Sequence, residues 1–196
     1  MSFNLKIQHQ ESYSRGELLL RTFFGFFYIV IPHAFMMWFV SIWAMILMFL
    51  AWWVVLFTGK YPENWWTFQK NFLNWQNRVN ATMMNLVDGY PAFWPSGTSD
   101  KVEVVAEYPQ TMSRGTLLLR TFFGYIYVLI PHAFCLIFRM WATYFVVFVA
   151  WWVVLFTGKY PEDMHRFNVG TLRWGLRVGA YMSFLTDTYP PFSGKE

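Results

Sequence analysis

The chain has 196 residues, of which 56% are hydrophobic, 23% aromatic and only 13% charged. A soluble domain carries about a quarter charged residues. Here no charged side chain lies between Arg21 and Lys60, and only Arg139 lies between Arg120 and Lys159. Both runs exceed the roughly 18 apolar residues that mark a membrane segment, which excludes an ordinary soluble globule. The net charge of +4 gathers around the apolar runs rather than on a solvated face. Anionic lipid head groups, not nucleic acid, are therefore the expected partner of the basic residues. The one cysteine, Cys135, lies in an apolar run, so neither a disulfide framework nor a thiolate metal site is expected. Met1 to Arg15 is polar and shows no cleavable leader pattern, so the hydrophobic segments are expected to direct insertion.

At the N-terminus Phe3, Leu5 and Ile7 alternate with polar residues, and Val102, Val104 and Ala106 recur at the same places 99 residues later. Two such alternating runs predict a short β-ribbon. The same shift aligns Ser14–Phe93 with Ser113–Phe192 without a gap, with SRG, LLLRTFFG, IPHAF, AWWVVLFTGKYPE and a closing D-x-YP-x-F in both. The chain is therefore one module written twice, residues 1–94 and 102–196, joined by the polar linker 95–101 (PSGTSDK).

Next in each module comes the apolar run. As one helix, Thr22–Gly59 would measure roughly 57 Å at 1.5 Å per residue, against a hydrocarbon core of about 30 Å. Proline removes a backbone donor and restricts the residue before it. Pro32 and His33 are therefore expected to form a hairpin turn, repeated at Pro131 and His132. The first helix would run from Ser14 to Ile31 and the second from His33 to Phe57. Gly59 and Gly158 then suit helix C-caps, with Pro62 and Pro161 blocking continuation. Arg15, Arg21 and Lys60 flank the first hairpin, and Arg114, Arg120 and Lys159 the second. Matching basic flanks place both ends of each hairpin on the cytoplasmic side, termini included.

A 3-4 spacing of apolar residues follows: Trp65, Phe68, Phe72, Trp75, Val79, Thr82 and Leu86, matched by Met164, Phe167, Thr171, Trp174, Val178, Tyr181 and Leu185. Between them lie amide and basic residues, including Arg78, Arg173 and Arg177. This reads as an amphipathic helix on the membrane interface over residues 64–88 and again over 163–187. The fold class expected is all-α integral membrane: two tandem helical-hairpin modules, each followed by an interfacial helix.

TGKYPE, the run FNVGTLRWGLRVGAY and LTDTYPPFS within Phe167–Ser193 resemble a bacterial membrane family catalogued only as a domain of unknown function. That family carries an IPH turn, an LFTG-[KR]-YP block and a closing LTD-x-YPPF, and the likeness covers nearly the whole chain twice. The first copy departs at Asn71 and Asn74, where the second has Gly170 and Arg173, and at Val87-Asp88-Gly89. The resemblance implies the architecture and a bacterial origin, and it brings no known activity.

Chemistry-bearing residues are few. His33 and His132 invite a bis-histidine haem reading, but their position at the hairpin tips favours turn histidines, with no cofactor or metal expected. Thr58-Gly59-Lys60 lacks the rest of a phosphate loop, so its lysine is expected to meet lipid phosphate. Arg21, Lys60, Arg120, Lys159, Arg173 and Arg177 are the expected head-group contacts. Asp88 and Asp187 are lone carboxylates, unsuited to acid–base pairs and placed to clamp Arg78 and Arg177. Arg139, matched by Val40 in the first copy, has no acidic partner within the apolar runs. It is expected to contact either outer head groups or another membrane subunit. The function expected is a non-catalytic accessory or scaffold subunit of an inner-membrane complex. A lipid-organising or curvature-generating protein comes next, and a transporter component third.

Overall fold

The computed structural model describes residues 3–196. Ser14 and Ser113 start the apolar runs as N-caps, each hydroxyl accepting from the backbone N–H three residues on. From there each run forms one uninterrupted helical path of 44 residues, Arg15–Thr58 and Arg114–Thr157. The first comprises α1 (Arg15–Gly25), a π-helical turn (Phe26–Val30) and α2 (Ile31–Thr58). After α3 (Glu63–Met83), the second comprises α4 (Arg114–Gly124), a π turn (Tyr125–Leu129) and α5 (Ile130–Thr157), followed by α6 (Glu162–Met182).

The expected hairpins, with turns at Pro32-His33 and Pro131-His132, do not form. An interior proline ordinarily breaks a helix because it strands the carbonyl four residues back and crowds it. Here that carbonyl is Tyr28, and the Tyr90 hydroxyl donates to it at 3.1 Å. Tyr189 does the same for the Tyr127 carbonyl, four residues before Pro131, at 2.9 Å. The π turn just before each proline gives the backbone the wider pitch it needs. With no reversal, the even-crossing basis for cytoplasmic termini also falls. Both paths are long and apolar enough to cross a membrane.

Gly59 and Gly158 end the paths in the left-handed conformation, φ 73° and 72°. Each then accepts, through its carbonyl, a backbone N–H from the other copy: Met112 to Gly59 and Tyr13 to Gly158. Arg15 donates to the Phe156 carbonyl and Arg114 to that of Phe57, placing a cation at the negative end of the other copy's helix. Trp151 bonds Thr22 and Trp52 bonds Thr121. The two long paths therefore run antiparallel, and the copies interlock at both ends.

The expected ribbon is present: β1 (Asn4–Ile7) pairs antiparallel with β2 (Val102–Val105), Leu5 opposite Val104. The aromatic faces expected at the interface are instead buried within the chain: Trp174, Val178 and Tyr181 of α6 pack around Val128. Phe72 and Trp75 of α3 pack on Val40 and Ala44 of α2. The ribbon covers a different face, where the Asn74 side chain accepts the Val104 N–H and Arg173 donates to the Leu5 carbonyl. One core runs through both copies and joins Leu18, Val55, Tyr61, Trp66 and Leu86 to Leu117, Val154, Tyr160, Leu176 and Leu185.

Candidate functional site

The blocks repeated in both copies meet in space. Asp88 accepts the Ser14 backbone N–H at 2.7 Å through one oxygen and the Arg21 guanidinium at 2.9 Å through the other. Arg21 also donates to Asn85 and Glu17. In copy two, Asp187 takes the Ser113 N–H and Arg120, both at 2.6 Å. Arg120 further donates to the Tyr181 and Thr186 carbonyls and lies over the Tyr181 ring, 4.5 Å from its centroid. The closing motif thus fastens the start of the long helix beneath it.

Four of the six expected head-group contacts are therefore elsewhere. Arg21 and Arg120 are 4% and 2% exposed. Arg173 donates to the Leu5 and Gly194 carbonyls and to Glu196, and Arg177 to the Phe3 and Lys195 carbonyls. Both tie the N-terminal strand and the C-terminal tail to α6, and burial lowers the pKa of each. Arg78 holds the Ala92 and Trp94 carbonyls in the same way, so neither Arg78 nor Arg177 is clamped by the aspartates. Buried guanidinium groups without such acceptors would cost several kcal/mol (about 3–5 for one stripped of its partner). Lys60 and Lys159 alone are exposed, just past the long helices.

His33 and His132 sit inside helices and not at tips, 1% and 0% exposed. Trp75 Nε1 donates to His33 Nδ1 at 2.8 Å and Trp174 Nε1 to His132 Nδ1 at 2.9 Å. An Nδ1 that accepts requires the neutral ring to carry its proton on Nε2. Neither ring then offers a lone pair to iron, so the bis-histidine arrangement has no ligand atoms. Phe93 and Phe192 cover the two rings at 4.2 and 3.9 Å between centroids, the second pair within 8° of parallel. Among the described residues no acceptor meets either Nε2.

Arg139 is not unpartnered. Its Nε donates to Thr171 Oγ1 at 2.9 Å and its Nη2 to the Phe167 carbonyl at 3.2 Å, and the guanidinium lies 4.5 Å from the Phe167 ring centroid. Thr143 joins the same cluster through Thr171 at 2.8 Å. These contacts lie within the chain and are made to a hydroxyl and a carbonyl rather than to a carboxylate. Helical reach explains the error: α6 runs antiparallel beside α5 and presents a hydroxyl and a carbonyl that a search for carboxylates passes over. The aromatic donors Tyr90, Tyr189, Trp75 and Trp174 were also missed. Their signal was recurrence with His and Pro at the same spacing in both copies.

On the far side of the core His9 and His165 meet edge to face at 5.0 Å. His165 Nε2 lies 3.1 Å from the Leu86 carbonyl, and burial, reinforced by His9, lowers its pKa to about 4.

Residues 17–95 and 116–194 match the family described as a domain of unknown function (DUF4389). No curated protein matches the chain, and no solved structure does.

Proposed function

The chain belongs to that family of unknown function in two copies, and from this premise we propose that it is a non-catalytic, lipid-organising membrane protein. Its long helices lie along one leaflet rather than crossing the bilayer. The carrying observation is one-sidedness. Phe23, Phe35, Trp38, Phe49 and Phe57 of the first path are all 60–70% exposed and uncovered by any element. Phe122, Trp141 and Phe156 of the second are each 72% exposed. The ribbon, which carries Lys6 and Glu103, lies instead against another face of α3 and α6.

Length supports the same reading. A 44-residue path measures about 66 Å at 1.5 Å per residue, twice the roughly 30 Å core. Moreover, α3 and α6 run beside the long paths, from Arg21 near Asn85 through His33 near Trp75 to Ala44 near Gln69. A crossing would carry those helices, with the ribbon, to mid-bilayer depth, where each charge costs about 2.5–3.5 kcal/mol on insertion scales. In-plane embedding leaves the apolar layer in acyl chains and the polar layer in the head groups, where Lys60 and Lys159 meet lipid phosphate. Such a wedge displaces one leaflet more than the other. The scaffold-subunit reading loses its specific support, since Arg139 is bonded within the chain.

Spin labels at Phe23, Phe35, Ile46 and Phe57, in a chain whose Cys135 is replaced by Ser, test this by depth profiling in vesicles. The proposal expects all four at similar depth within one leaflet. A profile that passes through the bilayer centre and emerges on the opposite side overturns it. Stoichiometric foreign subunits in mild-detergent preparations would restore the scaffold reading.

A further inference from the structure

The two copies differ at one place that opens a cavity. In copy one, Trp94 packs on Trp75 at 6.0 Å, and Val40 and Phe72 fill the space between α2 and α3. The matching residues of copy two are Ser193, Trp174, Arg139 and Thr171. With tryptophan replaced by serine, a cavity of about 930 Å³ lies between α6, the ribbon and the C-terminal tail, with Arg139 among its walls. That falls in the range of about 300–1,000 Å³ typical of small-molecule sites.

Its walls are built for a ligand with an anionic centre. Asn71 of copy one is Gly170 here, and a Cβ at that position would stand 2.9 Å from Arg139 Nη2 and 3.1 Å from the Gly194 carbonyl. Arg139 keeps its guanidinium over the Phe167 ring and bonds the protein through Nε and Nη2, and among the described residues Nη1 meets no acceptor. Among the described residues no carboxylate lies within ion-pair distance of it, whereas the cavity's Arg166 and Arg173 are paired to Asp163 and Glu196. The wall is not uniformly basic: six cationic and five acidic side chains line it. Among the described residues Glu103 and Glu162 have no cationic partner. A multiply charged anion would be repelled by those acids. A monoanionic phosphodiester that also carries an ammonium matches both signs.

We propose that this cavity holds a phosphodiester with an appended amine, the headgroup chemistry of phosphatidylethanolamine, with Arg139 on the phosphate and the unpaired glutamates on the ammonium. The membrane lipid as its source rests on the embedding proposed above; the headgroup chemistry does not. The test is native mass spectrometry of the full chain in detergent, titrated separately with phosphatidylethanolamine, phosphatidylglycerol and the soluble glycerophosphoethanolamine. Two variants give the cavity its copy-one residues: Arg139→Val removes the cation, and Ser193→Trp leaves the cation and fills the space. Circular dichroism confirms that each remains helical. Phosphatidylethanolamine should bind the wild type, and each variant should bind it about ten- to a hundredfold more weakly, the range for losing a charge-assisted hydrogen bond. Binding of glycerophosphoethanolamine with the same dependence on both variants supports the site even if the depth profile disproves embedding. Equal retention by wild type and both variants overturns the site, and equal retention of phosphatidylglycerol overturns its selectivity for an amine.

Discussion

The two copies share a frame and differ in what fills it. Serine, arginine and aspartate close the same clamp in each, at Ser14, Arg21 and Asp88 and at Ser113, Arg120 and Asp187. Each tryptophan holds its histidine, and each closing tyrosine covers the carbonyl its proline strands. Between the long helix and its companion, however, copy one packs Val40, Ala44, Phe72 and Trp75 as hydrocarbon, while copy two builds a polar cluster of Arg139, Thr143 and Thr171. Identical residues therefore mark contacts on which the frame depends. Unlike residues mark where a copy has acquired its own chemistry.

The largest effect should come from the clamps. Arg120→Met leaves Asp187 with only the Ser113 N–H and strips two carbonyls of their donor, and should destabilise the fold by about 3–5 kcal/mol, the range for breaking a buried pair. Arg21→Met should cost less, because Asp88 keeps a bond from Gln10 as well as the one from Ser14, and Arg21 serves no backbone carbonyl. Denaturant unfolding in detergent measures both, and an equal loss would show that the extra carbonyl contacts of Arg120 contribute nothing.

Copy two should respond to acid through His165. Folding holds His165 neutral with a pKa of about 4, against about 6.5 unfolded. The unfolded chain therefore binds the extra proton first, so the stability this residue contributes is complete above pH 6.5 and is lost as pH falls towards 4. Loss of up to about 2–3 kcal/mol is expected from that difference. Copy one has Trp66 at the matching place, donating to the Leu185 carbonyl as His165 meets that of Leu86. His165→Trp should reduce the pH dependence between 6.5 and 4; an unchanged profile would assign it to other groups.

Tyr90→Phe and Tyr189→Phe should each destabilise by about 1 kcal/mol, the worth of one hydrogen bond. Faster amide exchange is expected at the π turns, residues 26–30 and 125–129. Exchange that rises in only one copy would show that the turns are not equivalent. Smallest of all, the combined change Arg139→Val, Thr143→Ala and Thr171→Phe exchanges a polar cluster for the hydrocarbon of copy one. Replacing a satisfied buried cluster by apolar packing is near neutral, within about 1 kcal/mol. Thermal unfolding that falls much further would show that the frames around the two clusters have diverged as well.

Much of the architecture was already legible in one dimension. Repetition at 99 residues, serine caps, glycine stops, alternating arms and amphipathic companions depend on neighbours within a turn or two, and such local physics is written where it acts. What only the tertiary structure decided depended on residues far apart. Pro32 alone reads as a break, and it is tolerated because a tyrosine 62 positions from Tyr28 supplies the missing hydrogen bond. Arg21, Arg120, Arg173 and Arg177 read as membrane-facing cations until carbonyls and carboxylates up to 174 residues away are brought against them. Arg139 reads as unpaired until α6 presents Thr171. Sequence determines which groups need partners, because burial without one is costly. Which partner each finds is decided by long-range packing, and here that packing interlocks the two copies.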